Sequence, residues 1–157
     1  MGSRRLLKQM RCSGCEVEAS MPNSYNGSDI RPRLLLVDDE DSVRNSLYSL
    51  FENDGYEVLA ASNGTDGLAI YRHSVHPIEL LVTDYNMPGM SGLELARECT
   101  RLHRELGVLY ISGSPPDEEL RRDLQGCRRG FIAKPFHARD LLRKARELSL
   151  TGSTAVM

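Results

Sequence analysis

The chain has 157 residues, four of them cysteines, and a formal net charge of −2 at pH 7. This length suits one ordinary domain, and the nearly balanced charge favours neither nucleic acid nor a membrane surface as a direct partner. No stretch approaches the roughly 20 apolar residues that a membrane-spanning helix needs. The only apolar pair near the basic N-terminus, Leu6-Leu7, is too short for a signal-peptide core. We therefore expect a cytoplasmic protein.

Residues 1–32 show no hydrophobic periodicity and are rich in Ser, Gly, Asn and Pro, which predicts a flexible leader. The leader contains the CxxC motif Cys12-Ser13-Gly14-Cys15, a spacing that occurs in metal and redox sites. No second CxxC or histidine pair lies nearby to complete a tetrahedral site. Two interpretations stay open for this motif: a metal or redox site, and two reduced thiols on a mobile tail.

From Arg33 onward, apolar runs alternate with segments of helical periodicity and form five β-α units. The predicted strands are Leu34–Val37, Tyr56–Ala61, Leu80–Thr83, Val108–Ile111 and Phe131–Ala133. The predicted helices run from about Val43 to Phe51, from Asn63 to before His76-Pro77, from a capping box at Ser91 and Glu94, from Asp117 to Gln125, and from Leu141 to Leu148. We expect Asp41 to be the N-cap of the first helix. The domain then covers residues 33–148, and 149–157 form a short C-terminal tail.

Strict alternation with short connections predicts a parallel sheet with helices on both faces, that is, a doubly wound α/β fold. In such sheets ligands bind beyond the carboxyl ends of the strands. Polar residues follow four of the five predicted strands at that end: Asp38-Asp39, Asp84, Ser112 and Lys134. We therefore expect these side chains to meet at one edge of the sheet.

Three carboxylates in one place predict a bound cation. Two carboxylates about 4 Å apart repel by roughly 4 kcal/mol at an effective dielectric constant of about 20. A cluster of few carboxylates suits Mg²⁺ better than Ca²⁺, which takes more protein oxygens. A carboxylate can also act as the nucleophile in phosphoryl transfer, with the Lys134 ammonium and the Ser112 hydroxyl compensating charge on the phosphoryl oxygens.

Each of these features has an ordinary structural explanation when it stands alone. The run Asp38-Asp39-Glu40-Asp41 is also typical of a solvated acidic turn, and Lys134 of a surface lysine. The four histidines, none of which follows a strand, are expected on the surface: His73, His76, His103 and His137. Only the joint pattern at the strand ends favours a site.

Four sequence blocks together resemble the signature of bacterial two-component response-regulator receiver (CheY-like) domains. The blocks are Val37-Asp38-Asp39-Glu40, Asp84-Tyr85-Asn86-Met87-Pro88-Gly89-Met90-Ser91-Gly92, Ile111-Ser112-Gly113 and Ala133-Lys134-Pro135-Phe136. They occur in the family's order between about Arg33 and Leu148. The resemblance implies the flavodoxin-like (βα)5 fold with strand order 2-1-3-4-5.

The resemblance also implies roles for individual residues. Asp84 would be the phosphoacceptor, with Asp39, Asp84 and the backbone carbonyl of Asn86 as direct Mg²⁺ ligands and Asp38 assisting through water. Ser112 and Lys134 would contact the phosphoryl group, and the Lys134-Pro135 peptide bond would be cis. Phe131 matches the switch aromatic, which turns inward as Ser112 moves toward the phosphoryl group.

The resemblance implies a signalling switch that assists its own phosphorylation and dephosphorylation rather than an enzyme. A histidine kinase or a histidine phosphotransfer protein would supply the phosphoryl group. The mixed-charge face formed by the fourth helix, the fifth strand and the fifth helix would bind a downstream protein or, in a phosphorylation-dependent homodimer, a second copy. Nucleic acid and membrane are not expected as direct partners.

Three functions are compatible with parts of this pattern. The first is a stand-alone module that acts through protein–protein contacts, and the second is a receiver belonging to a longer transcription regulator or hybrid kinase. The third is a haloacid-dehalogenase-like phosphatase, because Asp39 and Asp41 have the spacing of that family's nucleophile motif. The phosphatase also needs an acidic pair late in the chain, and it would leave Asp84 without a role. We therefore favour a receiver, and because only residues 149–157 follow the last predicted helix we expect a stand-alone module.

Overall fold

The structure, a computed structural model, describes residues 9–12, 15–18 and 31–149. Strands and helices alternate strictly from Arg33 to Ser149, as the sequence predicts. The strands are β1 (Arg33–Val37), β2 (Glu57–Ala61), β3 (Leu80–Asp84), β4 (Gly107–Ser112) and β5 (Arg129–Ala133). The helices are α1 (Asp41–Asn53), α2 (Gly64–His73), α3 (Gly92–Leu102), α4 (Glu118–Asp123) and α5 (Ala138–Ser149).

The five strands form one parallel sheet in the order β2-β1-β3-β4-β5, which confirms the predicted 2-1-3-4-5 topology. Strands β1, β3 and β4 lie in the middle and are almost entirely buried, as continuous apolar runs predict. One hydrophobic core lies between the sheet and helices α1 and α5. The other lies between the sheet and helices α2, α3 and α4. This arrangement places the carboxyl ends of the central strands side by side.

Local signals explain the end of α1 and the starts of α2 and α3. Helix α1 ends at Asp54-Gly55, where Gly55 has a φ of +100° that glycine adopts without strain. The Asn63 side chain caps α2 by accepting from the Asp66 amide. Ser91 and Glu94 form the predicted capping box of α3.

The prediction for the start of α1 is wrong. Glu40, not Asp41, is the N-cap residue, and its side chain makes no capping hydrogen bond. Asp41 lies in the first helical turn instead and forms an ion pair with Arg44. The acidic side chain still lies at the positive end of the helix dipole, where it is stabilising. Several consecutive acids made the exact boundary ambiguous.

Helix α4 is shorter than the predicted Asp117–Gln125 because Asp117 is its N-cap and Leu124 its C-cap. The chain then continues in tight turns, with the Gly126 amide bonded to the Asp123 carbonyl. Only Leu120 of this helix is buried, so packing supports just one to two turns. Strand β5 begins earlier than predicted, because Arg129 pairs with Val108 of β4.

Two short strands occur within the segment that the sequence analysis assigned to the leader. Gln9–Cys12 and Cys15–Glu18 pair antiparallel, with Cys12 opposite Cys15. The thiol groups of the CxxC motif, residues 1–8, 13–14 and 19–30 of the leader and residues 150–157 of the tail lie outside the described residues. Among the described helices, none is long and apolar enough to cross a membrane.

Candidate functional site

Three carboxylates meet at the carboxyl end of the sheet. Asp38 and Asp39 follow β1, and Asp84 is the last residue of the neighbouring strand β3. Each offers a carboxylate oxygen, and these oxygens lie within 4.8 Å of one another. Asp38 is 1% exposed and Asp84 9%, whereas Asp39 is exposed to solvent. The predicted convergence of these three side chains is therefore present in the structure.

Asp38 has one satisfied and one unsatisfied oxygen. Its Oδ1 accepts a hydrogen bond of 2.8 Å from the Glu40 amide, which fixes the carboxylate in the turn before α1. Its buried Oδ2 accepts no hydrogen bond from the described residues. Burial raises the pKa of Asp38, and the Glu40 amide and the Lys134 ammonium oppose that rise. A buried carboxylate oxygen without a donor is unfavourable unless a cation compensates it.

Asp84, the last residue of β3, lies in a similarly buried environment. Burial raises the pKa of Asp84 to about 6; Lys134 opposes the rise, whereas the negative charge of Asp38 adds to it. The Asp84 carbonyl accepts a 2.9 Å hydrogen bond from the Thr83 hydroxyl. A Cβ atom at position 92 would lie only 2.2 Å from that carbonyl oxygen, so only glycine lets α3 begin this close to Asp84.

Lys134 and Ser112 complete the same edge. Lys134 follows β5, and its Nζ lies 3.8 Å from Asp38 Oδ2. Its amide donates to the Ser112 carbonyl at 2.8 Å, which ties the ends of β4 and β5 together. Ser112 is 1% exposed, and its hydroxyl oxygen accepts from the Ser114 amide at 3.1 Å. The Lys134-Pro135 peptide bond is cis, as expected from the resemblance.

The two remaining predicted site residues lie at different depths. The Asn86 side chain is exposed and donates to the Ser112 hydroxyl at 3.3 Å. Phe131 is half-buried and packs against the core on the side of α2, α3 and α4. In the sheet it pairs with Tyr110, two residues before the end of β4, so it lies below the carboxylate cluster rather than in it.

One contact beside the site was not predicted from the sequence. Tyr85, directly after Asp84, donates from its hydroxyl to Asp117 Oδ2 at 2.6 Å. This hydrogen bond joins the loop after β3 to the start of α4 across 32 positions of the chain. An aromatic residue with a polar tip next to a strand end was the only local signal, and it could not identify the partner.

The donor set fits a hard divalent cation. All donors are carboxylate oxygens, and one of them, Asp38 Oδ2, is buried without a hydrogen-bond donor from the described residues. Mg²⁺ is commonly bound by one or two carboxylates together with waters and phosphate oxygens. The acidic cluster and the orphaned oxygen therefore agree with the predicted magnesium site.

Comparison with known proteins identifies the family. The family model for the response regulator receiver domain matches residues 34–146. The response regulator receiver protein CpdR of Brucella abortus is 35% identical over 121 residues, which span 74% of this chain and 95% of CpdR. The aerobic respiration control protein ArcA of Escherichia coli K12 is 36% identical over 117 residues, 74% of this chain but only 48% of ArcA. The similarity to ArcA thus concerns about half of that protein.

Solved structures show the same fold. The response regulator protein TrrA of Thermotoga maritima, in complex with Mg²⁺ and BeF, superposes with a TM-score of 0.64 at 29% identity. The superposition covers 74% of this chain and 98% of the TrrA chain. The parallel sheet, the acidic edge and the family match agree, and the chain belongs to the response-regulator receiver domains of two-component systems.

Proposed function

We propose that Asp84 accepts a phosphoryl group and that the resulting aspartyl phosphate switches the protein's contacts with other proteins. The carboxylate cluster of Asp38, Asp39 and Asp84 carries this proposal, because its oxygens lie within 4.8 Å of one another at the ligand-binding end of the sheet. Asp84 stands at the end of the central strand β3, between Asp38 and the end of β4.

The transfer is a displacement at phosphorus. A carboxylate oxygen of Asp84 attacks the phosphorus atom of a phosphohistidine donor, and the phosphorus–nitrogen bond breaks with its electron pair left on the imidazole nitrogen. Negative charge spreads over the equatorial oxygens as the bond breaks. Lys134 offers a fixed positive charge at this edge, and the Ser112 hydroxyl can donate to one of those oxygens. The reaction therefore relies on positioning and charge compensation.

The metal ligands in this proposal are Asp39, Asp84 and the backbone carbonyl of Asn86, with Asp38 acting through water. Bound Mg²⁺ would neutralise charge on the phosphoryl oxygens. Receiver domains bind Mg²⁺ through an acidic pocket, and TrrA carries Mg²⁺ and BeF in its complex. The raised pKa values of Asp38 and Asp84 support the same assignment, because a nearby cation would stabilise both ionised forms.

The partners follow from the family. A histidine kinase or a histidine phosphotransfer protein would supply the phosphoryl group in the cytoplasm. A downstream protein, or a second copy of the chain, would bind the face formed by α4, β5 and α5. Phe131 and Ser112 would connect the site to this face, since they lie on the adjacent strands β5 and β4. The exposed charges on α4 and α5 are of both signs and form ion pairs within each helix, which suits protein contacts better than nucleic acid.

Intact-mass spectrometry tests the proposal. The full chain is incubated with acetyl phosphate, with and without Mg²⁺, as wild type and as Asp84→Asn. We expect a gain of one phosphoryl group that needs both Mg²⁺ and Asp84. Asp140→Asn, which removes a carboxylate from α5 outside the site, is the matched control and should be phosphorylated like the wild type. Equal phosphorylation of Asp84→Asn would show that another residue is the acceptor.

A further inference from the structure

The short helix α4 is tied to the sheet at its start by the residue that follows Asp84. Asp117, the N-cap of α4, uses Oδ1 to accept the Leu120 amide at 2.8 Å. Its other oxygen, Oδ2, accepts the Tyr85 hydroxyl at 2.6 Å. One carboxylate thus caps the helix and fixes it to the loop after β3.

The end of α4 is tied to the sheet by a second, buried group. Tyr110 of β4 is fully buried, and its hydroxyl donates to Asp123 Oδ2 at 2.6 Å. The same carboxylate oxygen lies 3.3 Å from Arg129 Nε. Arg129 is itself held by Thr100 of α3, to whose hydroxyl it donates at 2.9 Å. Asp123 is therefore held by two partners within a packed part of the domain.

The two attachments of α4 differ in how easily they open. The Tyr85–Asp117 hydrogen bond lies at the surface, so water can replace either partner when it breaks. Breaking the Tyr110–Asp123 bond would leave a hydroxyl without a partner in the core, which is much less favourable. The rings of Tyr85 and Tyr110 meet edge to face, with centroids 6.2 Å apart, so the two attachments are neighbours. Any movement of α4 should therefore begin at Asp117.

The loop before α4 links that attachment to Ser112. Residues 113–116 join Ser112 to Asp117, and the Ser112 hydroxyl oxygen accepts the Ser114 amide within this loop. If the Ser112 side chain shifts to donate to a phosphoryl group, the Ser114 amide bonded to its oxygen must shift with it or lose that bond. In either case the first residues of the loop change position while Tyr85 still holds Asp117, directly after the loop. The shift of Ser112 and the attachment of Asp117 to Tyr85 therefore oppose each other, because only residues 113–116 separate the two.

We propose that the hydrogen bond between Tyr85 and Asp117 is a latch that favours the unphosphorylated state and opens when Asp84 is phosphorylated, while Tyr110, Asp123 and Arg129 hold the other end of α4 in both states. This inference rests on the proposed phosphoacceptor role of Asp84. Tyr85 is then a positioning residue: it does not contact the phosphoryl group but sets how readily α4 responds.

The effect of Tyr85→Phe on the affinity for a phosphoryl mimic tests the latch. Tyr85→Phe keeps the ring and removes the hydroxyl, so it destabilises only the latched state and should bind the phosphoryl mimic more tightly. We expect the affinity for beryllofluoride in saturating Mg²⁺, followed by NMR titration, to rise roughly threefold to tenfold. Asp117→Asn keeps a capping oxygen and should change the affinity in the same direction. Simple structural damage would lower the affinity.

Tyr110→Phe is the matched control, because it removes the other tyrosine hydroxyl bonded to α4. We expect its affinity for the mimic to stay within about twofold of the wild type. Hydrogen exchange gives a second readout: without ligand, Tyr85→Phe should accelerate exchange of the Leu120 amide, and the mimic should do the same in the wild type. A Tyr85→Phe affinity that is unchanged or lower, or an equal rise in Tyr110→Phe, overturns the latch. A wild type that gains no phosphoryl mass after incubation with acetyl phosphate and Mg²⁺ refutes the phosphoacceptor role of Asp84 instead.

Discussion

Replacing Asp84 by asparagine should stabilise the metal-free fold at neutral pH. Burial raises the pKa of Asp84 from 3.8 to about 6. One pKa unit corresponds to about 1.4 kcal/mol, so keeping this carboxylate ionised in the folded state costs about 3 kcal/mol. Asparagine has nearly the same shape and carries no charge. We therefore expect Asp84→Asn to unfold with a free energy up to about 3 kcal/mol larger than that of the wild type at pH 7.5.

The stability gained in Asp84→Asn depends on pH. An acid whose pKa is higher in the folded state binds its proton more tightly there, so the contribution of Asp84 to wild-type stability falls as pH rises from about 4 to about 6. The advantage of Asp84→Asn should be absent near pH 3.5, grow through that window and level off above it. Asp38 is present in both proteins, so the difference between them reports Asp84 together with its repulsion from Asp38.

Urea unfolding in EDTA, followed by circular dichroism at pH 3.5, 5 and 7.5, measures this difference. Asp140→Asn serves as a control that removes a carboxylate elsewhere and should give no stabilisation. Adding Mg²⁺ at pH 7.5 should stabilise the wild type more than Asp84→Asn, because the ion binds only the folded cluster. An Asp84→Asn protein that is no more stable than the wild type at pH 7.5 would refute the electrostatic reasoning.

Three further substitutions test the structural basis of the site. Gly92→Ala would place its Cβ 2.2 Å from the Asp84 carbonyl oxygen, so we expect a loss of about 1–3 kcal/mol in urea unfolding, whereas Gly113→Ala, which has open space, should be tolerated. Ser91→Ala removes the cap of α3 and should lower the unfolding free energy by about 1 kcal/mol; an unchanged value would show that the capping box contributes nothing. Lys134→Met removes the cation 3.8 Å from Asp38 and should slow phosphorylation by acetyl phosphate at least about tenfold in a timed mass assay; wild-type kinetics would exclude charge compensation by Lys134.

Most of the fold could be predicted because each central strand is a continuous apolar run and each connection is short. The runs that became β1, β3 and β4 are buried on both faces, which leaves little choice about their place in the sheet. Once the strands are parallel, the residues after them must share one edge. That geometric rule was sufficient to bring Asp38, Asp84, Ser112 and Lys134 together before any contact was known.

The parts that could not be predicted depend on pairings between distant residues or on small energy differences. Nothing local indicates that Tyr85 binds Asp117, or that Tyr110 binds Asp123, since both partners are chosen by packing. The predicted N-cap of α1 was wrong by one residue because Glu40 and Asp41 are both acceptable at a helix start. The end of α4 depends on a single buried residue, Leu120, rather than on helix propensity.

Chemical reduction of the phosphorylated chain shows directly whether Asp84 itself carries the phosphoryl group, as we propose. Borohydride reduces an aspartyl phosphate to homoserine, which marks the acceptor permanently. After phosphorylation of the full chain in Mg²⁺ and reduction, peptide mass mapping should find homoserine at position 84 alone, and only when the phosphoryl donor was present. Homoserine at position 38 or 39 would refute Asp84 as the acceptor, as would a phosphorylated protein in which residue 84 stays aspartate.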